Sequence, residues 1–336
     1  MKEFFGTLPS GQTASLYTIS RGALTAAVTD FGAALVRLFV PDETGRLDDV
    51  VLGFDDVSGY MATTAYIGAT IGRNSNRIKG ASFTLNGREY SLPANEGKNS
   101  LHSGPAGYHN RLWTVACHEK DAITLRLESP SGDQGFPGNA LIQVTYALTP
   151  DSLMITYDAV CDQDTIFNLT NHSYFNLAGH HQPQAAMDQI LTIPGRFFNS
   201  DDAESIPTGE LRSVEGTPMD FRVPKPIGRD INEDYDALNL QGGYDHNFEV
   251  FCQPAAILRS PASGREMAVY TDCPGIQFYA GNFLNDSGKG GAHYRKRSAI
   301  ALEAQYYPDA IHHPGWPQPV TRAGEKYHSQ TIYRFR

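Results

Sequence analysis

Residues 166–179 read IFNLTNHSYFNLAG. With the period of two of an extended strand, Phe167, Leu169, Ser173, Phe175 and Leu177 fall on one side, and Asn168, Thr170, His172, Tyr174 and Asn176 on the other. The first side is mostly core-like. The second carries no formal charge and sets an imidazole and a phenol two residues apart. It is therefore either the wall of a site or a polar face satisfied by a neighbouring loop.

Alternation of the same kind predicts strands at 24–28, 33–40 and 50–52, with a polar turn at PDETGRLDD, and then at 113–118, 122–128, 140–148 and 152–161. The last third adds 243–250, 256–259, 265–271, 275–280, 298–304 and 327–335. Asn86 and Gly87, between ASFTL and REYSL, predict a hairpin closed by a type I′ turn. The glycine-punctuated stretches 66–78 and 99–113 fit neither helix nor strand period and are expected to lie as loops over a sheet. NSDDAESIPTGE and GTPMDFRVPKPIG are expected to be long irregular connections, which in compact domains tend to be functional. No repeat, low-complexity tract or linker interrupts the pattern, so the expectation is one all-β domain over residues 1–336.

Composition agrees, with 32 Gly, 20 Pro, 17 Tyr and 17 Phe in 336 residues, a mix suited to many strands joined by turns. The net charge of -10 argues against a nucleic-acid partner; KGGAHYRKR is the one locally basic run and reads as a solvated loop. No apolar run of transmembrane length and no signal-peptide pattern occurs, so a soluble cytoplasmic protein is expected. Cys117, Cys161, Cys252 and Cys273 are widely spaced and read as reduced packing residues. No metal site is expected, because the pairs His180 with His181 and His312 with His313 lack a convergent ligand set. Nucleophile elbows, Walker loops and dinucleotide fingerprints are absent as well.

Several polar positions remain as candidates for chemistry. In SAIALEAQYYPDA, Glu303 shares a strand face with Ala301, which leaves room for a ligand. In PGIQFYAGNFL, Gln277 and Tyr279 share a face, and in GGYDHNFEV, Asp245 and His246 follow a turn. Faces rich in amide, carboxylate, imidazole and phenol suit a neutral polyhydroxylated ligand, since each sugar hydroxyl both donates and accepts and aromatic rings cover C–H faces. That points to carbohydrate without separating an enzyme from a lectin.

The motifs DVVLGFDDVSGY, YIGATIGRNSNRI, NSLHSGPAGYHNRLW, FNLTNHSYFNLAG, IPTGE with GTPMDF, GYDHNF, GIQFYAGNFL, LEAQYYPDAIHHPGWPQP and RAGEKY follow one another along nearly the whole chain. In that order the chain resembles the aldose 1-epimerase, or galactose mutarotase, family. The resemblance implies a large antiparallel β-sandwich, the galactose mutarotase-like supersandwich, with few short helices, a site on a concave sheet face and no cofactor. It implies His172 as general acid at the ring oxygen and Glu303 as general base at the anomeric hydroxyl. Asn76, Arg77, His102, Tyr174, Asp245 and Gln277 are implied as sugar-binding, with Asp245 and Arg77 holding ring hydroxyls. The implied reaction interconverts α and β anomers of free aldohexoses such as galactose and glucose, in a monomer or homodimer whose partner is a monosaccharide. A hexose 6-phosphate mutarotase, an inactive sugar-binding module and a glycosidase are the rival readings. Ser103, Ser75, Ala304 and Tyr306 depart from the family pattern. Mutual attraction of imidazolium and carboxylate is expected to raise the pKa of His172 and lower that of Glu303.

Overall fold

The structure, a computed structural model, describes residues 1–336. It is built from antiparallel sheets with two short α-helices, Val57–Ala62 and Asp236–Gln241. A nine-stranded sheet runs in the spatial order Thr114–His118, Ala122–Ser129, Ala140–Leu148, Ser152–Cys161, Lys326–Phe335, Glu266–Thr271, Ala256–Arg259, Ile190–Thr192 and Lys225–Pro226. A six-stranded sheet runs Tyr174–Phe175, Ile300–Gln305, Gly275–Tyr279, Asp245–Glu249, Phe197–Asp201 and Pro207–Ser213. Residues 2–49 form a further five-stranded sheet.

Strand alternation decides what packs and what is presented. From the nine-stranded sheet, Ile142, Val144, Tyr146, Ile155 and Tyr333 point inward and meet Phe248, Ile276, Phe278, Ile300 and Leu302 from the back of the six-stranded sheet in one buried cluster of 55 residues. Burial of this apolar surface is the main force holding the two sheets together. Because side chains alternate, the opposite face of the six-stranded sheet must then carry Asp245 and Asn247, Gln277 and Tyr279, and Ala301, Glu303 and Gln305.

The expected hairpin is present, with Ser82–Leu85 paired to Arg88–Ser91 and both turn residues at positive φ, Asn86 at 53° and Gly87 at 75°. The turn at PDETGRLDD is shorter than expected, since Leu47–Asp49 already pairs with Phe39–Pro41. Asp49 tolerates burial there because its carboxylate accepts from Lys289 Nζ at 2.6 Å and from the amide of Leu38 at 3.0 Å. The strand expected at 50–52 reduces to a bridge between Val51 and Phe175. Strands Lys2–Thr7 and Thr13–Arg21 were not expected, and IPTGE lies in a strand, Pro207–Ser213, rather than in an irregular connection.

The largest correction falls on residues 166–179. They do not form one strand but three two-residue pieces, Thr165–Ile166, Thr170–Asn171 and Tyr174–Phe175, each paired with a different partner. Both supposed faces are buried throughout 165–179. The amides of this stretch act as internal ties: Asn171 Nδ2 donates to Gly68 O at 2.8 Å, and Asn176 Nδ2 to Gln182 O at 2.8 Å and Ser298 O at 3.1 Å. The segment is a buried seam, and of its polar side chains His172 and Tyr174 reach the cavity described next.

Candidate active site

A cavity of about 180 Å³ opens on the polar face of the six-stranded sheet. Drug-sized clefts occupy roughly 300–1,000 Å³, so this one suits a single small ligand. Asn76, Arg77, His102, His172, Tyr174, Asp245 and Glu303 all line it, which brings together candidates spread over more than 200 positions of sequence. Gln277 does not line it. It is buried on the same sheet face opposite Glu303, 3 % exposed, and its Nε2 donates to Asp245 Oδ1 at 2.7 Å. Gln277 therefore orients Asp245.

His172 Nε2 and Glu303 Oε1 stand 3.6 Å apart across the cavity floor. Neither is free to wander: Glu303 sits mid-strand opposite Gln277, while the backbone of His172 donates to Ala69 O and accepts from Gly68 N, both at 2.9 Å. Burial lowers the His172 imidazole to about 4, the Glu303 attraction notwithstanding. Burial likewise holds the Glu303 carboxyl well above the usual carboxylate range, reinforced by Asp245 and opposed by Arg77. This reverses the expected direction for both groups, because desolvation of two groups 5 % and 2 % exposed outweighs their mutual attraction. Burial thus favours the neutral form of each group.

The binding candidates are fixed by equally specific contacts. Asn76 and His102 both occupy positive φ, 57° and 50°, and exchange bonds: the Asn76 amide donates to His102 Nδ1 at 3.1 Å, and the His102 amide to Asn76 O at 2.9 Å. His102 Nδ1 is therefore an acceptor, so the ring proton is on Nε2, and burial keeps the ring neutral by lowering its pKa well below the ordinary value. Arg77 donates from Nε to Glu96 Oε2 at 2.5 Å and from its Nη2 to Glu96 Oε1 at 2.8 Å. Burial works against its charge, but the Glu96 bond and the nearby Asp245 outweigh it. Burial raises the Asp245 pKa, with Arg77 and Gln277 opposing. The Tyr174 hydroxyl is already used, donating to Ala65 O at 3.0 Å, so Tyr174 offers the cavity its ring.

Three of the four departures from the family pattern have a local account. Ser103 sits at φ 67°, where glycine costs least, and its hydroxyl compensates by donating to Asn74 O at 2.9 Å and accepting from the Asn74 amide at 2.7 Å. Ala304 faces the core side of its strand, and Tyr306 exchanges backbone bonds with the Asn168 side chain. Nothing in the structure explains Ser75.

The cavity also has walls that sequence reasoning did not single out as binding residues: Tyr66, Glu96, Tyr279 and Phe283. Tyr66, at φ 55°, packs its ring 4.5 Å from His102, 4.7 Å from His109 and 5.9 Å from His172. Tyr279 was legible as a same-face neighbour of Gln277. Glu96 had no local signal; only the pairing of Ser100–Leu101 with Arg77–Ile78 draws its loop to Arg77.

The aldose 1-epimerase family model matches residues 15–334. Galactose mutarotase of Bos taurus is 40 % identical over 341 residues, covering 98 % of this chain and 97 % of that protein. Aldose 1-epimerase of Escherichia coli (strain K12) is 36 % identical over 343 residues, covering 97 % and 96 %. Among solved structures, an aldose epimerase homologue from C. elegans superposes with a TM-score of 0.89 at 32 % identity, over 96 % of this chain and 99 % of that one. Galactose 1-epimerase from Lactobacillus acidophilus superposes at 0.86 and 26 % identity, over 100 % and 98 %.

Proposed function

We propose that this chain, a member of the aldose 1-epimerase family and an isomerase with mutarotase activity, interconverts the α and β anomers of free aldohexoses such as galactose and glucose, with Glu303 and His172 as its acid–base pair. The observation that carries this assignment is their 3.6 Å approach on the wall of one small cavity. For ring opening, the shared proton sits on His172 and Glu303 is ionised. Glu303 takes the proton of the C1 hydroxyl, the bond from C1 to the ring oxygen breaks with its electron pair going to that oxygen, and His172 protonates it. Rotation about C1–C2 exposes the other face of the aldehyde, and the same transfers run backwards to close the ring. No covalent intermediate forms, and no proton is consumed over the cycle.

The buried setting suits the middle of this cycle. When the sugar is open, Glu303 is protonated and His172 neutral, which is the distribution that burial favours for both groups. The pocket therefore steadies the pair in its open-chain state. His102, Arg77, Asn76 and Asp245 hold the ring hydroxyls while C1 turns, with Gln277 steadying Asp245.

A 6-phosphate substrate fits less well. Arg77 is the one lysine or arginine on the cavity wall, and Glu96 already holds it by two bonds, which leaves little positive charge for a phosphate. We also place the protein in the cytoplasm, as a monomer or homodimer. Its four cysteines are unpaired, as suits a reducing compartment. No helix is long and apolar enough to cross a membrane.

The test is polarimetry on freshly dissolved α-D-galactose and α-D-glucose. Glu303→Gln and His172→Asn should each lose at least ~10² in kcat, the low end for one general acid or base. The double variant should lose far less than the product of the two, because the groups act as a unit. Near-normal turnover by folded Glu303→Gln would leave a sugar-binding module as the better reading.

A further inference from the structure

Beneath the cavity, the polar face of the six-stranded sheet continues into a buried layer. Register places Asn199 beside Asn247, Asn247 opposite Gln277, and Gln277 opposite Glu303, so these side chains form one row across four strands. Gln305 lies one step further along the Glu303 strand, on the same face and opposite Gly275. All five are at most 3 % exposed. Asn247 Nδ2 donates to Asn199 Oδ1 at 2.5 Å and Gln277 Nε2 to Asp245, and there the pairing stops. Glu303 Oε2, Gln277 Oε1, Asn247 Oδ1, Asn199 Nδ2 and both amide atoms of Gln305 have no hydrogen-bond partner in the protein.

So dense a cluster is not background. Buried polar atoms are paired in the great majority of cases, because each one left unpaired keeps the full cost of its desolvation. Gly275 carries no side chain between Asn247 and Gln305, and a Cβ there would come within 2.5 Å of Asn247 Oδ1 and 2.8 Å of the Tyr307 ring. Gly275 thus lets both the Asn247 amide and the Tyr307 ring pack against its backbone. Buried polar atoms that the protein leaves without partners are satisfied by ordered water, each molecule making about three hydrogen bonds.

We propose that Gln305 is a positioning residue for Glu303: together with Asn247 it holds ordered water under the carboxyl, and that water hydrogen-bonds Glu303 Oε2 from below while Oε1 faces His172 and the sugar. Donors delivered in this way steady the ionised form of Glu303, the form that takes the proton from C1. The inference rests on the acid–base reading above. The groups that face Glu303 are His172 at 3.6 Å, Asp245 and Arg77 on the cavity side, the rings of Tyr174 and Tyr279 beside it, and Tyr333 from the core. Burial pushes all three phenols far above neutrality, so they do not titrate with the pair.

The experiment replaces Gln305 with Met, which keeps length and removes polarity, and measures mutarotation of galactose against pH. A hydrogen bond to a charged group corresponds to about one pH unit, so Gln305→Met should move the alkaline limb of kcat up by about one unit, cut kcat about tenfold and leave KM unchanged. A purely structural role would lower the melting temperature without moving the limb. A crystal structure of the unaltered protein, at a resolution that shows water, should place a molecule in contact with both Glu303 Oε2 and the Gln305 amide. An unmoved limb in the folded variant, or no water there, overturns the proposal. Inactive Glu303→Gln alongside an unmoved limb removes the water-held role alone, whereas active Glu303→Gln removes the acid–base reading itself.

Discussion

At the scale of single residues the chemistry turns on where one proton sits. Attraction between His172 and Glu303 was readable from their types, but the depth of their burial was not, and burial decides the outcome. His172 takes a proton only as pH falls through about 4, and Glu303 gives one up only well above the usual carboxylate range. On the acid–base roles proposed for His172 and Glu303, turnover needs one proton on the pair, so the acid limb of kcat should report His172 gaining a second proton and the alkaline limb Glu303 losing the last. The expected profile has an acid limb near 4 that His172→Asn abolishes. An acid limb near the ordinary histidine value of about 6.5 instead would show that desolvation does not govern His172. Binding separates from this chemistry. Asp245→Asn should raise KM about tenfold or more with kcat little changed, the size expected for losing a charge-assisted hydrogen bond. Glu96→Gln should raise KM less, since it frees Arg77 to wander without removing it. Steady-state kinetics on galactose distinguishes the two, and a collapse of kcat in Asp245→Asn would reassign that residue to the proton transfers.

At the scale of elements, what was legible is what depends on a two-residue period. Ala140–Leu148, Ser152–Cys161 and Ala256–Arg259 follow their hydrophobic alternation, and the Asn86–Gly87 turn follows from backbone chirality alone. Residues 166–179 broke the rule because a seam buried on both sides has no solvent face to give its alternation meaning. Asn168, Asn171 and Asn176 there satisfy loop backbone instead of ligand. The Glu303 strand kept its predicted facing, because the apolar Ile300 and Leu302 leave Glu303 only the other side. The weakest point of that platform is Gly275, which admits the Asn247 amide beside it. Gly275→Ala should force Asn247 and Tyr307 apart, cost about 1–3 kcal/mol as overpacking does, and lower kcat more than it raises KM. Denaturation together with kinetics would test this, and an alanine accepted without loss in either would mean that the layer yields more easily than its contacts imply.

At the scale of the whole molecule, the site depends on three sheets keeping their places, and two buried cations outside the cavity lining hold them. Arg265, at the start of a strand in the nine-stranded sheet, is fully buried and donates to Val40 O at 3.1 Å, Leu177 O at 2.9 Å and Arg46 O at 2.9 Å. It thereby ties that sheet both to the five-stranded sheet and to the seam carrying His172. Lys289 does similar work, donating to Asp49, Val36 O and Val51 O. The sequence showed both residues and could show neither role, since a lone arginine or lysine reads as solvated until the fold buries it. Such ties favour residues 1–336 unfolding as one unit, as expected of one domain, so that urea curves followed by far-UV circular dichroism and by tryptophan fluorescence should coincide. Arg265→Met removes the guanidinium from three carbonyls, of which Leu177 O and Arg46 O keep Ser263 Oγ and the Asp42 amide as donors, and should cost about 1–3 kcal/mol, the range for a buried acceptor losing its partner. The variant that remains folded should still mutarotate galactose at close to the normal kcat, because Arg265 does not line the cavity. If instead the curves separated into two transitions in the unaltered protein, the five-stranded sheet would be an independent unit, and Arg265→Met would lower only the transition that belongs to it.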